Sequence, residues 1–165
     1  MRHDHGMDHR MMSGDADAPR MALALAVLRI FIGVLWLANL AWKLPPDFGR
    51  DEPRGLLYSF HQGERYASIG PLRDLVHDVV IPHFTFFGWL VFGVELAAGL
   101  LLTLGVMTRF GALIGTAQSV MITLLVAGAP NEWRWGYAMF ILLNAVPLLA
   151  PADRRLSIDY LRGRA

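Results

Sequence analysis

Four apolar stretches dominate the pattern of hydrophobic and polar positions: Met21 to Leu44, Phe84 to Val106, Phe110 to Gly128 and Trp135 to Ala150. A helix rises about 1.5 Å per residue and the hydrocarbon core of a bilayer is about 30 Å thick, so roughly 20 mostly apolar residues span it. The first three stretches reach about that length, and the fourth is short enough to need a turn from its flanks. Hydrocarbon offers backbone groups no partner, so segments crossing it close their hydrogen bonds internally, as helices. None of the four carries the broad polar face that a soluble bundle turns to water. The predicted fold is all-α, an integral membrane four-helix bundle with a large loop between helices 1 and 2.

The polar segments divide the chain further. Residues 1–20, MRHDHGMDHRMMSGDADAPR, lack apolar periodicity and read as a disordered His/Met-rich tail. The apolar stretch that follows is long enough to span, which argues against a cleaved signal peptide. Residues 21–150 form the membrane domain and 151–165 a C-terminal tail. The loop from Pro45 to His83 carries the breakers Pro45, Pro46, Gly49 and Pro53. Within it, Pro71 suits the first position of a short helix that places Leu72, Leu75, Val76, Val79 and Val80 on one face and Arg73, Asp74, His77 and Asp78 on the other. Such a helix either lies on the membrane surface or caps the bundle.

Composition agrees with a bilayer environment, 55% of residues being apolar and 18% charged. A formal net charge of +1, with no long basic run and no phosphate-cradling glycine loop, gives no sign of a nucleic-acid partner. The absence of cysteine excludes disulfide exchange, thiolate nucleophiles and cysteine-held iron–sulfur clusters. Any redox role therefore uses a non-covalently bound cofactor or a partner. Four spans return both termini to one side, and Arg2, Arg10, Arg20, Arg109, Arg154, Arg155, Arg162 and Arg164 would place that side in the cytoplasm. Lys43 and five arginines fall on the opposite side, where Trp42, Trp89, Trp133, Trp135 and Tyr137 would form an interfacial aromatic belt.

Ionisable groups within a span are expensive and usually have a partner or a task, which singles out Arg29 and Glu95. Counted from helix ends at Met21 and Val106, Arg29 lies about 12 Å deep and Glu95 about 16 Å deep, with Gln118 and Asn144 at roughly 10 to 15 Å. All four spans thus offer a polar group to one layer. One reading is a polar site in which Arg29 and Glu95 pair as the catalytic groups while Gln118 and Asn144 bind a cofactor. A quinone suits it, since its carbonyls need donors and its reduction needs protons. The other reading is a structural ion pair with interhelical polar contacts. Gly111 and Gly115 form a small-xxx-small pair that permits close helix approach. In the tail, His3, His5 and His9 stand near Met7, Met11 and Met12, a ligand set that could take a transition metal.

The second span and its exit, GWLVFGVELAAGLLLTLGVMTRFGAL, resemble the signature of the DoxX/DoxD membrane family at Gly88, Glu95, Gly99, Gly105, Thr108 and Arg109. Arg29, Gly33 and Lys43 fit that family's opening helix, and PNEWRWGY from Pro130 to Tyr137 resembles the DoxD-type segment before the last helix. The resemblance covers roughly residues 22–150. It implies a multi-pass cell-membrane protein acting as the small quinone-linked subunit of a thiosulfate:quinone oxidoreductase, beside a second redox subunit or soluble enzyme. Other DoxX-like proteins are membrane partners in redox or stress assemblies, so a noncatalytic scaffold is the alternative expectation. Transport of a small solute or metal through the polar layer is a third, and would need a homo-oligomer.

Overall fold

The computed structural model describes residues 8–149 and 156–158, with side chains from Pro19 onward. The described residues contain helices and no strands: α1 Asp8–Asn39, α2 Leu56–Tyr66, α3 Gly70–Leu75, α4 Phe84–Leu104, α5 Thr108–Val126 and α6 Arg134–Leu149. A short 3-10 turn, Leu40–Trp42, extends α1, and a wide turn, Val76–Val80, extends α3. The chain is thus all-α, as its pattern predicts.

Four of these helices close a ring in which α1 packs on α4, α4 on α5, α5 on α6, and α6 back on α1. Pro19–Trp42, Phe84–Leu104 and Thr108–Val126 are each long and apolar enough to cross a bilayer. The fourth, α6, is apolar but shorter, and its expected end at Ala150 lies outside the described residues. The ring is apolar on its outside as well as its inside. Val27, Phe31 and Val34 of α1, Phe86 and Leu100 of α4, Phe110 and Leu113 of α5 and Leu142 of α6 are all exposed. In water such a continuous surface would drive aggregation; in a bilayer it faces lipid. The chain is a multi-pass membrane protein.

Close approach of the helices rests on glycine. Any Cβ at Gly33 would stand 2.6 Å from the Thr103 backbone nitrogen and 2.8 Å from the Gly99 carbonyl oxygen, so α1 and α4 meet backbone to backbone there. At Gly115 a Cβ would meet the Asn144 amide and stand 3.0 Å from Trp36 Nε1. Gly105, with φ +68°, ends α4 in the left-handed conformation, its N–H and that of Val106 both reaching the Leu101 carbonyl.

Helix α1 runs back to Asp8, through much of the segment expected to be disordered; residues 1–7 lie outside the described residues. Once a span has nucleated, each added residue gains a hydrogen bond at little cost, so helix can propagate into a polar flank.

The segment between α1 and α4 is a folded cap. Helix α2, which the charge and breakers of this segment conceal, buries Leu56, Phe60 and Gly63 at helical spacing. Gly63 rests on Leu125 of α5, and the Ser68 N–H donates to the Leu124 carbonyl at 2.8 Å. The expected helix at Pro71 is present, but the predicted stripe divides: Leu72, Val76 and Val80 are buried, whereas Leu75 and Val79 are exposed. The wide turn accounts for this, because the Ile81 N–H bonds the Val76 carbonyl five residues back and shifts the helical period. With Phe48, Ala67 and Phe84 these residues form a closed apolar cluster, so the cap reading of the helix is the one observed.

On the cap's outer side Glu64 of α2 accepts from His77 Nδ1 at 2.6 Å and meets His61 Nδ1 at 3.1 Å. Hydrogen bonding to these imidazoles holds the Glu64 carboxyl below its ordinary value, and hydrogen bonding to Glu64 raises His77 above its ordinary value near 6.5. A raised folded-state His77 pKa contributes stability that is full below 6.5 and is lost as pH rises through the raised value. The depressed Glu64 pKa contributes stability present above its ordinary value near 4.5 and lost as pH falls through the depressed value. The link between α2 and the wide turn is therefore expected to be firmest between these two ordinary values. Amide exchange of residues 56–66 and 76–80 should quicken from pH 5.5 to pH 8.5 by roughly two- to threefold beyond its intrinsic pH dependence, and a His77→Gln variant should abolish that excess.

Candidate functional site

The buried face of α1 repeats at helical spacing through Ala26, Arg29, Ile32, Trp36, Leu40 and Lys43. It carries three polar positions to three different heights in the bundle. At the upper one, where the 3-10 turn ends, the Lys43 ammonium donates to both oxygens of the Glu95 carboxylate, at 2.6 and 2.8 Å. The Asn39 amide, one turn earlier, donates to Glu95 Oε2 at 3.3 Å, and Gln118 of α5 lies beside the same carboxylate. Lys43 also lies over the Trp42 ring, 4.3 Å from its centroid. Lys43 is 3% exposed and Glu95 is fully buried. An ion pair so removed from water is held by the quality of its geometry, since desolvation opposes it.

Arg29 is not the partner of Glu95, contrary to expectation. Its guanidinium donates to the Leu102 carbonyl at 2.5 Å and to the Leu156 carbonyl at 2.8 Å. Leu102 lies in the last turn of α4, where carbonyls have no intrahelical partner and the helix dipole is negative. Arg29 therefore caps α4 and clasps the chain beyond α6 to it. The expected pairing assumed that α1 and α4 end level. They do not: with Arg29 beside Leu102, the ten residues back to Pro19 carry α1 about 15 Å past the level of Leu102, well beyond the end of α4.

Asn144 occupies the middle height. Its Oδ1 accepts from Trp36 Nε1 at 2.8 Å, and its Nδ2 donates to Ser119 Oγ at 3.2 Å and to the Phe140 carbonyl at 2.9 Å. Its oxygen is spent on α1 and its donors on α5 and on its own helix α6, and it does not line the cavity described next. Of the four residues expected in one layer, Glu95 and Gln118 are brought together, while Arg29 and Asn144 serve elsewhere. Lys43 and Asn39 complete the cluster. Lys43 reads in sequence as a flanking surface charge because the cap that buries it is formed by residues far along the chain. Its spacing of four from Asn39 was the available signal.

The ion pair opens on a cavity of about 500 Å³. Asn39, Lys43, Glu95 and Gln118 form its polar end. Apart from Ser59 and Tyr137 the rest is apolar, lined among others by Phe60, Val76 and Val80 of the cap, Val91 and Val94 of α4, and Met121, Ile122 and Leu125 of α5. The volume lies within the range of small-molecule sites, and the pattern, apolar walls with a few convergent polar groups, is theirs as well.

The family model described as "TQO small subunit DoxD" matches residues 24–164. The chain belongs to the DoxD family. Gly88, Glu95, Gly99 and Gly105, on which the resemblance rests, acquire definite roles in this DoxD structure. Glu95 accepts the buried ammonium, while Gly88 makes room for Phe48, Gly99 for Leu37 and Gly105 for Arg29. No functionally described protein and no solved structure matches the chain. Among the described residues no group of three or more His, Cys, Asp or Glu could hold a metal. His3 and His5 lie outside the described residues, as does the side chain of His9.

Proposed function

We propose that this DoxD protein is the membrane subunit of a thiosulfate:quinone oxidoreductase-like complex and that its cavity receives a quinone head group. The observation carrying the proposal is the buried Lys43–Glu95 pair at one end of a cavity of about 500 Å³ whose walls are mostly apolar. An ammonium and two amides converging at one end fit an aromatic diketone, whose ring needs apolar walls and whose carbonyl oxygen needs donors. When bound, a quinone supplies a two-electron, two-proton acceptor.

The chain's own groups position and protonate. Asn39 donates to the Glu95 carboxylate beside Gln118, and that carboxylate in turn fixes Lys43 Nζ at the cavity's polar end. Lys43 Nζ offers a proton there, and the ionised Glu95 carboxylate, its Oε1 2.6 Å away, stabilises the cation until that proton leaves. The apolar cap keeps bulk water from the pair. Electrons come from the larger partner that the description "small subunit" implies, oxidising a sulfur donor outside this chain. The arginine-rich ends favour a cytoplasmic position for both termini.

The proposal is tested by titrating the detergent-purified protein with a short-chain quinone and following tryptophan fluorescence, Trp42 being part of the cavity wall. Wild type is expected to show saturable quenching. Glu95→Gln, isosteric but uncharged, is expected to bind at least ten times more weakly, about 1.4 kcal/mol or more. If wild type shows no saturable quenching, the quinone reading is lost and a scaffold for redox enzymes takes its place.

A further inference from the structure

A second cleft, of about 440 Å³, opens where α2, the wide turn and the start of α4 meet. Arg50, His61, His83 and Thr85 supply its polar groups, Leu57, Ile81 and Phe84 are among its apolar ones, and none of its lining residues is acidic. The Arg50 guanidinium lies over the Phe84 ring, 4.6 Å from its centroid. Among the described residues no carboxylate pairs with it. Both histidines have Nδ1 engaged by the protein: His83 Nδ1 donates to the Val79 carbonyl at 2.9 Å, and His61 Nδ1 to the Glu64 carboxylate at 3.1 Å. A carbonyl and a carboxylate only accept, so the ring proton sits on Nδ1 and Nε2 of each neutral imidazole is left as an acceptor. The cleft therefore offers one cation and two hydrogen-bond acceptors side by side, a set that a bare anion would use only in part.

Its depth follows from α4. The 21 residues of that helix rise about 31 Å, the thickness of the hydrocarbon core, so the first turn, which lines the cleft, stands at one edge of the core. Lipid phosphates lie just outside that edge. Immediately below, Phe86 and Trp89 are exposed three positions apart on one face of α4, where hydrocarbon chains pack.

From this arrangement we infer that the cleft is a headgroup site for an anionic phospholipid with a hydroxylated headgroup, of the phosphatidylglycerol type. Arg50 takes the phosphodiester, His61 and His83 accept from the headgroup hydroxyls through Nε2, and an acyl chain follows Phe86 and Trp89 into the bilayer. A guanidinium suits the first task because its planar fork meets two phosphate oxygens at once, and stacking on Phe84 holds that plane in place. Phosphatidylcholine presents the same phosphodiester, but its trimethylammonium cannot donate to Nε2 and cancels the charge that Arg50 attracts. A lipid seated here joins α2 to the start of α4 and so fastens the cap to the membrane surface. The inference does not depend on the quinone reading, since the two clefts share only Phe84's neighbours in the cap.

Native mass spectrometry tests it, with the full chain in detergent titrated with phosphatidylglycerol or phosphatidylcholine of identical chains. Wild type is expected to take one phosphatidylglycerol at least tenfold more tightly than phosphatidylcholine. Arg50→Gln is expected to cut that preference below threefold, whereas Arg50→Lys, which keeps the charge, retains at least threefold. Arg54→Gln, at an arginine of the same segment that does not line the cleft, is expected to leave it unchanged. Wild type should also favour phosphatidylglycerol at least threefold over phosphatidylmethanol, equally anionic but without a hydroxyl, and His61→Phe/His83→Phe should abolish that distinction. Inorganic phosphate in large excess is expected not to displace the lipid. The inference is overturned if the two lipids bind wild type equally, if Arg50→Gln keeps the preference, or if Arg54→Gln loses as much of it. Wild type that binds phosphatidylmethanol as well as phosphatidylglycerol overturns the hydroxyl-reading role of the histidines. Displacement by inorganic phosphate overturns the lipid assignment and makes the cleft a site for a dissolved anion.

Discussion

Replacing Lys43 with Met is expected to destabilise the protein by about 3–5 kcal/mol, because it leaves the Glu95 carboxylate buried with no counter-charge. The loss should appear as a lowered thermal midpoint in detergent. The double variant Lys43→Met/Glu95→Leu removes both charges and fills their volume with apolar atoms. It is expected to recover the loss and to equal or exceed wild type, since a buried ion pair often contributes no more than a packed apolar pair would. The same double variant should bind no quinone. That combination, stability regained and binding lost, would show that the pair is kept for what it does in the cavity. A double variant as unstable as Lys43→Met would assign the pair a structural role instead.

Arg29→Met should have the second largest effect, about 3 kcal/mol, through the loss of two charge-assisted hydrogen bonds and the orphaning of the Leu102 and Leu156 carbonyls. Its signature differs from that of Lys43→Met. The chain after α6 should come away from α4, so trypsin should cut at Arg154 and Arg155 faster than in wild type while quinone affinity changes less than threefold. Arg29→Lys should recover little, since a single ammonium does not reproduce a planar fork donating to two carbonyls on separate segments. A large loss of quinone affinity in folded Arg29→Met would return Arg29 to the ligand site.

The membrane helices were legible in the sequence because length and unbroken apolarity are local properties, and those of α1, α4 and α5 leave little choice of structure. The burial of Glu95 and its proximity to Gln118 were legible for the same reason, charge and amide standing at matching depths in neighbouring spans. The partner of Glu95 was not. It depended on the vertical offset of α1 against α4, which backbone contact at Gly33 and the Arg29 cap set through tertiary packing. Helix α2 was hidden because LLYSFHQGERY draws its apolar stripe from only Leu56, Phe60 and Gly63, and depends on α5 to cover it. Asn144 matched the expected depth but not the expected task, since depth says nothing of whether an amide's donors are already taken.

The central claim is that a quinone head group sits against Lys43 and Glu95 inside this chain, and photoaffinity labelling tests it most directly. An azido-quinone is photolysed with the protein in nanodiscs, and the adducts are mapped by peptide mass spectrometry. Labelling should fall on cavity residues such as Met121, Ile122, Val91 and Val94, be displaced by excess unmodified quinone, and decline at least tenfold in Glu95→Gln. Labelling spread over lipid-facing residues such as Phe31 and Leu142, insensitive both to competitor and to Glu95→Gln, would contradict it.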